Sequence, residues 1–370
     1  MDSLFHVAEQ FKPSGEITDI REYGNGNIND TFLVTLKYGE GRFEACPYII
    51  LQRLNTKVFK EPELVMQNMR AVTGHIFRRQ KSASPAAGRR WQVPSVLLTQ
   101  KGEDHWIDSD GSFWRAISFI DSSESFDEIR DIGHAGEVGH ALGMFHNLIS
   151  DLSPENLADT LKGFHITPQY VQHYNEVLAK QGPEKTPETD YCLRFIEERS
   201  SRAHVLENAK ACGELRIRPI HGDPKVNNFM MDIYDGHAVG IVDLDTVKPG
   251  LVHYDIGDCL RSGCNPLGEE TELWEKVRFD TDICRAVLKG YLVSAKEFLN
   301  DNDYNYIYDA VRLLAFELGL RFFTDYLEGN VYFKASHRSH NLSRALVQFK
   351  LTESIESCEK VIDAIIRDLR

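Results

Sequence analysis

The hydrophobic period of the chain changes at about Asp121. Before it, from about Glu16 to Leu54, apolar and polar residues alternate and are broken at the Gly-rich segments YGNGN and YGEGR. A period of two puts successive side chains on opposite faces of a strand, so a three-strand meander is expected. In EPELVMQNMRAVTGHIFRRQ (61–80), Pro62 stands at a first helical position and Leu64, Met66, Met69, Val72 and Ile76 mark a helix face. SVLLT (95–99) and FWRAISFI (113–120) read as two more strands with Asp110-Gly111 as the turn between them. Beyond Asp121 helical spacing dominates, interrupted around IHGDPKVNNFMMD (220–232) and GHAVGIVDLDTV (236–247). Five strands and one helix ahead of a mostly helical remainder make an α+β plan of two lobes. The smaller lobe, with a five-stranded antiparallel sheet, is expected over residues 1–120 and the larger over 121–370. QGPEKTPETD and GCNPLGEET read as surface loops.

A length of 370 residues suits about two packed units at ~150 residues each. No run approaches the ~18 apolar residues of a membrane span, and MDSLFHVAEQF lacks the basic, apolar, small-residue order of a secretion signal. A cytoplasmic protein without membrane partners is expected. The formal net charge of −14 would repel a phosphate backbone, so nucleic acid is not an expected partner. Seven scattered cysteines without a C-x-x-C pair read as buried free thiols in a reducing compartment.

The chemistry is concentrated in IHGDPKVNN. His221 is followed by Asp223 and, five residues later, by Asn228, in a loop after a strand expected to end at Ile220; Asp243 lies inside the strand-like AVGIVDLDTV. Phosphoryl transfer asks for a carboxylate that receives a hydroxyl proton, an amide oxygen for a divalent cation, and a second carboxylate for the same cation. The set therefore reads as a kinase-type catalytic loop with its metal aspartate. The plain alternative is a turn organised by His221 and Asp223, with Asp243 and Asp245 as solvated loop acids.

HGDPKVNN, IVDLDT and YDIGDCLRSG resemble the aminoglycoside phosphotransferase and choline kinase superfamily, whose fold is protein-kinase-like. YGNGNINDTFLV, ILQRLNTKVF and LGLRFFTDYLEGNVYF are similar to its N-acetylhexosamine 1-kinase branch, and the likeness runs from about Phe5 to the C-terminal helix. The resemblance implies ATP and Mg²⁺ as cofactors and a free N-acetylhexosamine as the small-molecule partner, phosphorylated on its anomeric hydroxyl. It also implies Asp223 as base, Asn228 and Asp243 as Mg²⁺ ligands, and the backbone of Ser118, Phe119 and Ile120 as the adenine hinge. Gly24, Asn25 and Gly26 would approach the phosphates. Asn27, Asn29, Arg321 and Tyr332 would meet the sugar.

One departure stands out. The third strand of a kinase carries a lysine paired with a helix glutamate, but YIILQRLN puts Gln52 there, and the helix offers Gln67, Met69 and Arg70. Lys225, two residues past the base, is the candidate for the missing charge. The absence also suits a nucleotide-binding pseudokinase, whereas the intact Asp223, Asn228 and Asp243 set suits an enzyme. A kinase of another alcohol, such as an aminoglycoside, homoserine or choline, is a third reading. Glu317, Arg321, Asp325 and Glu328 fall on one helix face and could form an exposed salt-bridge ladder. His134, His140 and His146 are six apart, which turns each by ~240° and keeps them from sharing an ion. His146 is expected to be packed near a helix end and the other two partly exposed.

Overall fold

The computed structural model describes residues 3–11, 13, 15–24, 28–38, 46–82, 89–180 and 182–370. The chain forms two compact units. The first comprises Met1–Glu124, Asp151–Leu161 and Met230–Pro249, and the second Ser125–Ser150, Lys162–Phe229 and Gly250–Arg370.

In the first unit β1 (Glu16–Glu22), β2 (Asp30–Lys37) and β3 (Tyr48–Leu54) form the expected meander. β4 (Val96–Leu97), β5 (Trp106–Ile107) and β6 (Phe113–Ser118) complete a sheet of order β1-β2-β3-β6-β4, with β5 also paired to β6. The five expected strands are all present. β5 is an addition of two residues, and the Asp110-Gly111 turn joins it, not β4, to β6.

Period two sorts the sheet's side chains. Val34, Leu36, Ile49, Leu51, Trp114 and Ala116 bury one face against Val7, Ala8 and Phe11. Those residues come from or follow α1 (Leu4–Glu9), a helix capped by the Ser3 side chain and too short to leave a periodic signature. On the other face Leu54 and Phe113 pack with Val65 and Met66 of α2 (Pro62–Ser82), which starts at the expected proline.

Asn68 of α2 holds the two later segments onto this unit. Its Nδ2 donates to the carbonyls of Ala158 and Val247, both at 2.8 Å, and its Oδ1 accepts from Ala158 N at 2.8 Å. A second small sheet joins Ser123–Glu124, Phe229–Asp232 and Ala238–Ile241.

The second unit is helical: α3 (Ile132–Ile149), α4 (Thr167–Lys180), α5 (Pro187–Arg199), α6 (Val205–Ala211), α7 (Val252–Gly263), α8 (Thr281–Ala295), α9 (Asp301–Asn305), α10 (Ile307–Glu328), α11 (His340–Ser357) and α12 (Glu359–Leu369). α10 is buried on nearly all sides, packs against α4, α7 and α11, and stops at Gly329 in a left-handed conformation.

α3 and α8 meet backbone to backbone. A Cβ on Gly139 would lie 1.9 Å from the Val287 carbonyl oxygen, one on Gly143 2.3 Å from that of Tyr291, and one on Gly290 2.0 Å from that of Gly136.

Two loop expectations need correction. Pro187 onward is helix α5, opened by a Thr186–Thr189 capping box, and in GCNPLGEET both Cys264 and Asn265 are buried. All seven cysteines are free; Cys192, Cys259, Cys264 and Cys284 are buried, but Cys212 is exposed. Among the described residues no helix is long and apolar enough to cross a membrane.

Candidate active site

In the first unit β3 sets Gln52 directly opposite Arg115 of β6. Both alternate onto the α2 face, where Arg115 is 1% exposed. Its guanidinium donates through Nε and Nη2 to Gln52 Oε1 at 2.9 and 2.7 Å, and Nη1 lies 3.7 Å from Met69 Sδ. Nη2 is also 2.5 Å from Asp245 Oδ1, an ion pair by distance whose N–H is not aimed at that oxygen.

Asp245 is thus a buried, paired acid and not a solvated loop residue. Its Oδ2 accepts from Asn29 Nδ2 at 2.6 Å, and Asn29 Oδ1 accepts from Asn55 N at 2.9 Å. Gln52 Nε2 donates to Thr31 Oγ1 at 3.1 Å.

Asp243 is not on a strand, contrary to the sequence reading. The strand ends at Ile241, and Asp243 has φ 62° and ψ 56° ahead of a single 3-10 turn, Leu244–Thr246. A left-handed residue cannot continue a pleat.

The hinge residues follow β6. Ser118 exchanges two hydrogen bonds with Ser95, at 2.9 Å each, while Phe119 meets the rings of Tyr23 and Tyr48 edge-on. Ile120 packs on Met230, Val239 and Val242, an apolar patch of the first unit. Gly24 has φ +75°, a value open to glycine at no steric cost. The calls on Asn25, Gly26 and Asn27 lie outside the described residues.

In the second unit the strand Arg218–Ile220 ends where expected, and Gly222 turns the loop with φ 91°. His221 is fully buried, edge-on to Phe145, and its Nδ1 accepts from Asp223 N at 3.3 Å. The loop backbone is gripped by Asp255 of α7, which takes His221 N at 2.6 Å and Gly222 N at 2.8 Å. Asp255 Oδ2 also accepts from His146 Nε2 at 2.7 Å, and His146 Nδ1 lies 3.0 Å from the Tyr291 hydroxyl. Burial alone would raise the Asp255 carboxyl, but His146, His221 and the backbone N–H groups hold it below the usual range.

Asp223 is half-buried, with Lys225 Nζ 3.0 Å from its Oδ2. Burial pushes its pKa up, yet the neighbouring Lys225, His221 and Arg261 win and leave it lowered. Asp223 is therefore ionised at neutral pH. Asn228 Nδ2 donates to the Asp223 carbonyl at 2.8 Å, so its Oδ1 is the end left for a cation.

His165 reaches the same loop. Its Nε2 donates to the Gly222 carbonyl at 2.8 Å, and its Nδ1 pairs with Glu317 Oε1 at 2.9 Å. Burial disfavours its charge, but Glu317 overrides this and raises the His165 pKa.

Glu317, Arg321, Asp325 and Glu328 of α10 form no ladder. Glu317 is taken by His165 and Thr167, and Asp325 accepts the backbone N–H groups of Val331, Tyr332 and Phe333; Glu328 meets His173. Arg321 lies among the rings of Phe164, Tyr170, Tyr332 and Phe333, 5.0–5.9 Å from their centroids. Burial pushes the Tyr170 phenol up to about 12, so it stays a neutral donor. His146 is buried as expected, while His134 and His140 are partly exposed.

Among the described residues no three His, Cys, Asp or Glu converge as a metal-binding group.

Residues 19–286 match the sequence profile of the family described as the phosphotransferase enzyme family. The chain belongs to that family. This small-molecule phosphotransferase is similar in fold to an aminoglycoside phosphotransferase from Alicyclobacillus acidocaldarius, with 13% identity, TM-score 0.61 and coverage of 94% of this chain and 93% of that one. It is similar also to choline kinase from Cryptosporidium parvum Iowa II, at 13% identity, TM-score 0.58 and 94% and 91% coverage. A third neighbour is the GDP complex of aminoglycoside 2'-phosphotransferase-IIIa, at 12% identity, TM-score 0.53 and 95% and 94% coverage. The α+β fold is protein-kinase-like.

Sequence reasoning passed over Arg115, Asp255 and His165. Arg115 left a signal: a charge in the apolar run FWRAIS marks a strand position that must be paired if the strand is internal.

Proposed function

We propose that this phosphotransferase uses ATP to phosphorylate the anomeric hydroxyl of a free N-acetylhexosamine, in the cytoplasm. The observation that carries the choice of acceptor is Arg321 among four aromatic rings, beside two acids that are already engaged by their own partners. Choline or an aminoglycoside would require acids to meet a cation. A ring of hydroxyls and an acetamide carbonyl instead suits a planar five-donor group and aromatic faces.

In this reading Asp223 orients the anomeric hydroxyl and accepts its proton late in a loose transition state. The lowered pKa of Asp223 makes it a weak base, which is adequate because an anomeric hydroxyl is more acidic than an ordinary alcohol. Lys225 meets charge developing on the transferring group. Asn228 and Asp243 would hold Mg²⁺, which supplies neutralisation of the nucleotide phosphate oxygens. Ser118 to Ile120 would take the adenine, Gly24 to Gly26 the phosphates, and Asn27, Asn29, Arg321 and Tyr332 the sugar. A pseudokinase is the second reading, favoured by Gln52 in place of the strand lysine.

ADP release across free sugars, amino alcohols and aminoglycosides decides among these. A free N-acetylhexosamine and its 6-deoxy analogue are expected to be phosphorylated, with the phosphorus signal coupled to the anomeric proton. The 1-O-methyl glycoside offers no proton and should at most inhibit. Phosphate on C6, or turnover of the methyl glycoside, refutes the 1-kinase assignment, and the absence of turnover with any acceptor favours the pseudokinase.

A further inference from the structure

We propose that Gln52 and Arg115 together replace the missing strand lysine. Gln52 donates an amide N–H to the nucleotide phosphates, and Arg115, from the neighbouring strand, polarises Gln52 and positions the Asp243 loop through Asp245. The inference rests on the nucleotide-dependent reading above.

Gln52 holds the strand position at which a kinase presents its lysine, and Arg115 is its cross-strand partner. A guanidinium with 1% exposure is costly to bury and calls for partners that need its charge. Two of its N–H groups converge on Gln52 Oε1. An amide whose oxygen accepts two bonds from a cation has its own N–H groups strengthened as donors. One Nε2 hydrogen goes to Thr31, and the other has no partner among the described residues.

The opposite end of the network is equally specific. Asp243 holds a left-handed conformation, which persists in a non-glycine residue only where its surroundings over-determine it. Two residues on, Asp245 is tied at one oxygen to Arg115 and at the other to Asn29. The usual ion pair joins sheet to helix. In this chain the helix offers only Met69 Sδ to Arg115, and the pair joins the sheet to the Asp243 loop instead.

The test uses the full chain and the variants Gln52→Leu, Gln52→Lys, Arg115→Met and the double variant Gln52→Lys/Arg115→Met. Thermal midpoint, Mg·ADP affinity by calorimetry, and kcat and KM for ATP are measured for each. Gln52→Leu strands two buried N–H groups of Arg115, so its thermal midpoint is expected to fall by several degrees; assayed below that midpoint it should weaken Mg·ADP about tenfold and lower kcat roughly 10²-fold, as for one lost transition-state donor. Gln52→Lys alone sets two buried cations against Asp245 and should be impaired. Removing the arginine in that background leaves a lysine facing Asp245, and the double variant should recover to within about tenfold of the parent kcat.

The proposal is overturned if Gln52→Leu binds Mg·ADP and turns over within twofold of the parent, or if the double variant is no better than the worse single one. Should Arg115→Met fail to fold, Gln52→Leu and the double variant still decide. A parent that binds Mg·ADP but phosphorylates no acceptor refutes the sugar-kinase reading alone, because the binding comparison still judges Gln52 and Arg115. A parent that binds no nucleotide refutes both.

Discussion

Replacing Asp255 by Asn removes one charge and turns one acceptor oxygen into a donor, at a fully buried carboxylate with three partners. If the amide oxygen keeps the Oδ2 position, it can still serve His221 N and His146 Nε2, but the new NH₂ faces the Gly222 N–H. If it keeps the Oδ1 position, two donors lose their acceptor. One or two buried donors are stranded either way, at ~1–3 kcal/mol each, and the survivors lose their charge assistance. The expected cost is about 3–5 kcal/mol, a large share of the ~5–15 kcal/mol that holds a domain folded. Urea denaturation gives that number. Hydrogen exchange of the peptide spanning 218–228 should show lost protection where the two backbone N–H groups were held. A displacement of the loop by about 1 Å would lower kcat roughly 10²-fold through misplacement of Asp223. A stability loss under 1 kcal/mol with unchanged exchange and turnover would show that Asp255 does not hold the loop.

Asp223→Asn should lower kcat ~10²–10⁴-fold while ATP affinity stays within a few-fold, and a near-normal rate in acceptor assays removes Asp223 as base. The raised His165 pKa contributes stability that is full below its unfolded value of about 6.5 and is lost as pH rises through the folded value. Glu317, with a lowered pKa, contributes above about 4.3 and loses this as pH falls through its folded value. The pair's contribution is thus greatest in mildly acidic solution, and His165→Asn should flatten the decline in urea midpoint above about pH 6.5; an unchanged slope counts against the pair. Gly139→Ala sets a methyl against a backbone carbonyl that cannot yield and should cost about 3 kcal/mol or more, whereas at Gly74 the nearest atom is the end of Arg78 at 3.5 Å and the same change should stabilise by up to ~1 kcal/mol. Calorimetric melting of the two variants compares the signs directly.

Local patterns carried the sheet, α2 and the loop around Asp223, because alternation, a first-turn proline and motif spacing are written in consecutive residues. What escaped depends on distant partners. Asp243 lies in a continuous apolar run and so reads as strand, but its backbone is left-handed beside a loop tied by residues from Asn29 and Arg115. The face of α10 reads as a charge ladder because i,i+4 spacing is visible, while His165 and the Val331–Phe333 backbone, which take its acids, are not. Asp151–Leu161 joins the first unit through Asn68, a single polar residue on an amphipathic helix.

The seam between α3 and α8 bears on the order of assembly. Backbone packed on backbone has no side chains to repack, so the helices can dock in one register or slip by a turn of 5.4 Å, with little between. Tyr291 of α8 meets His146 of α3 across that seam, and His146 in turn bonds Asp255, a relay that forms in the native register. The loop of Asp223 should therefore become protected after the seam has closed and not before. In pulse-labelled refolding its amides are expected to lag those of α3 and α8, so that catalytic competence arrives last.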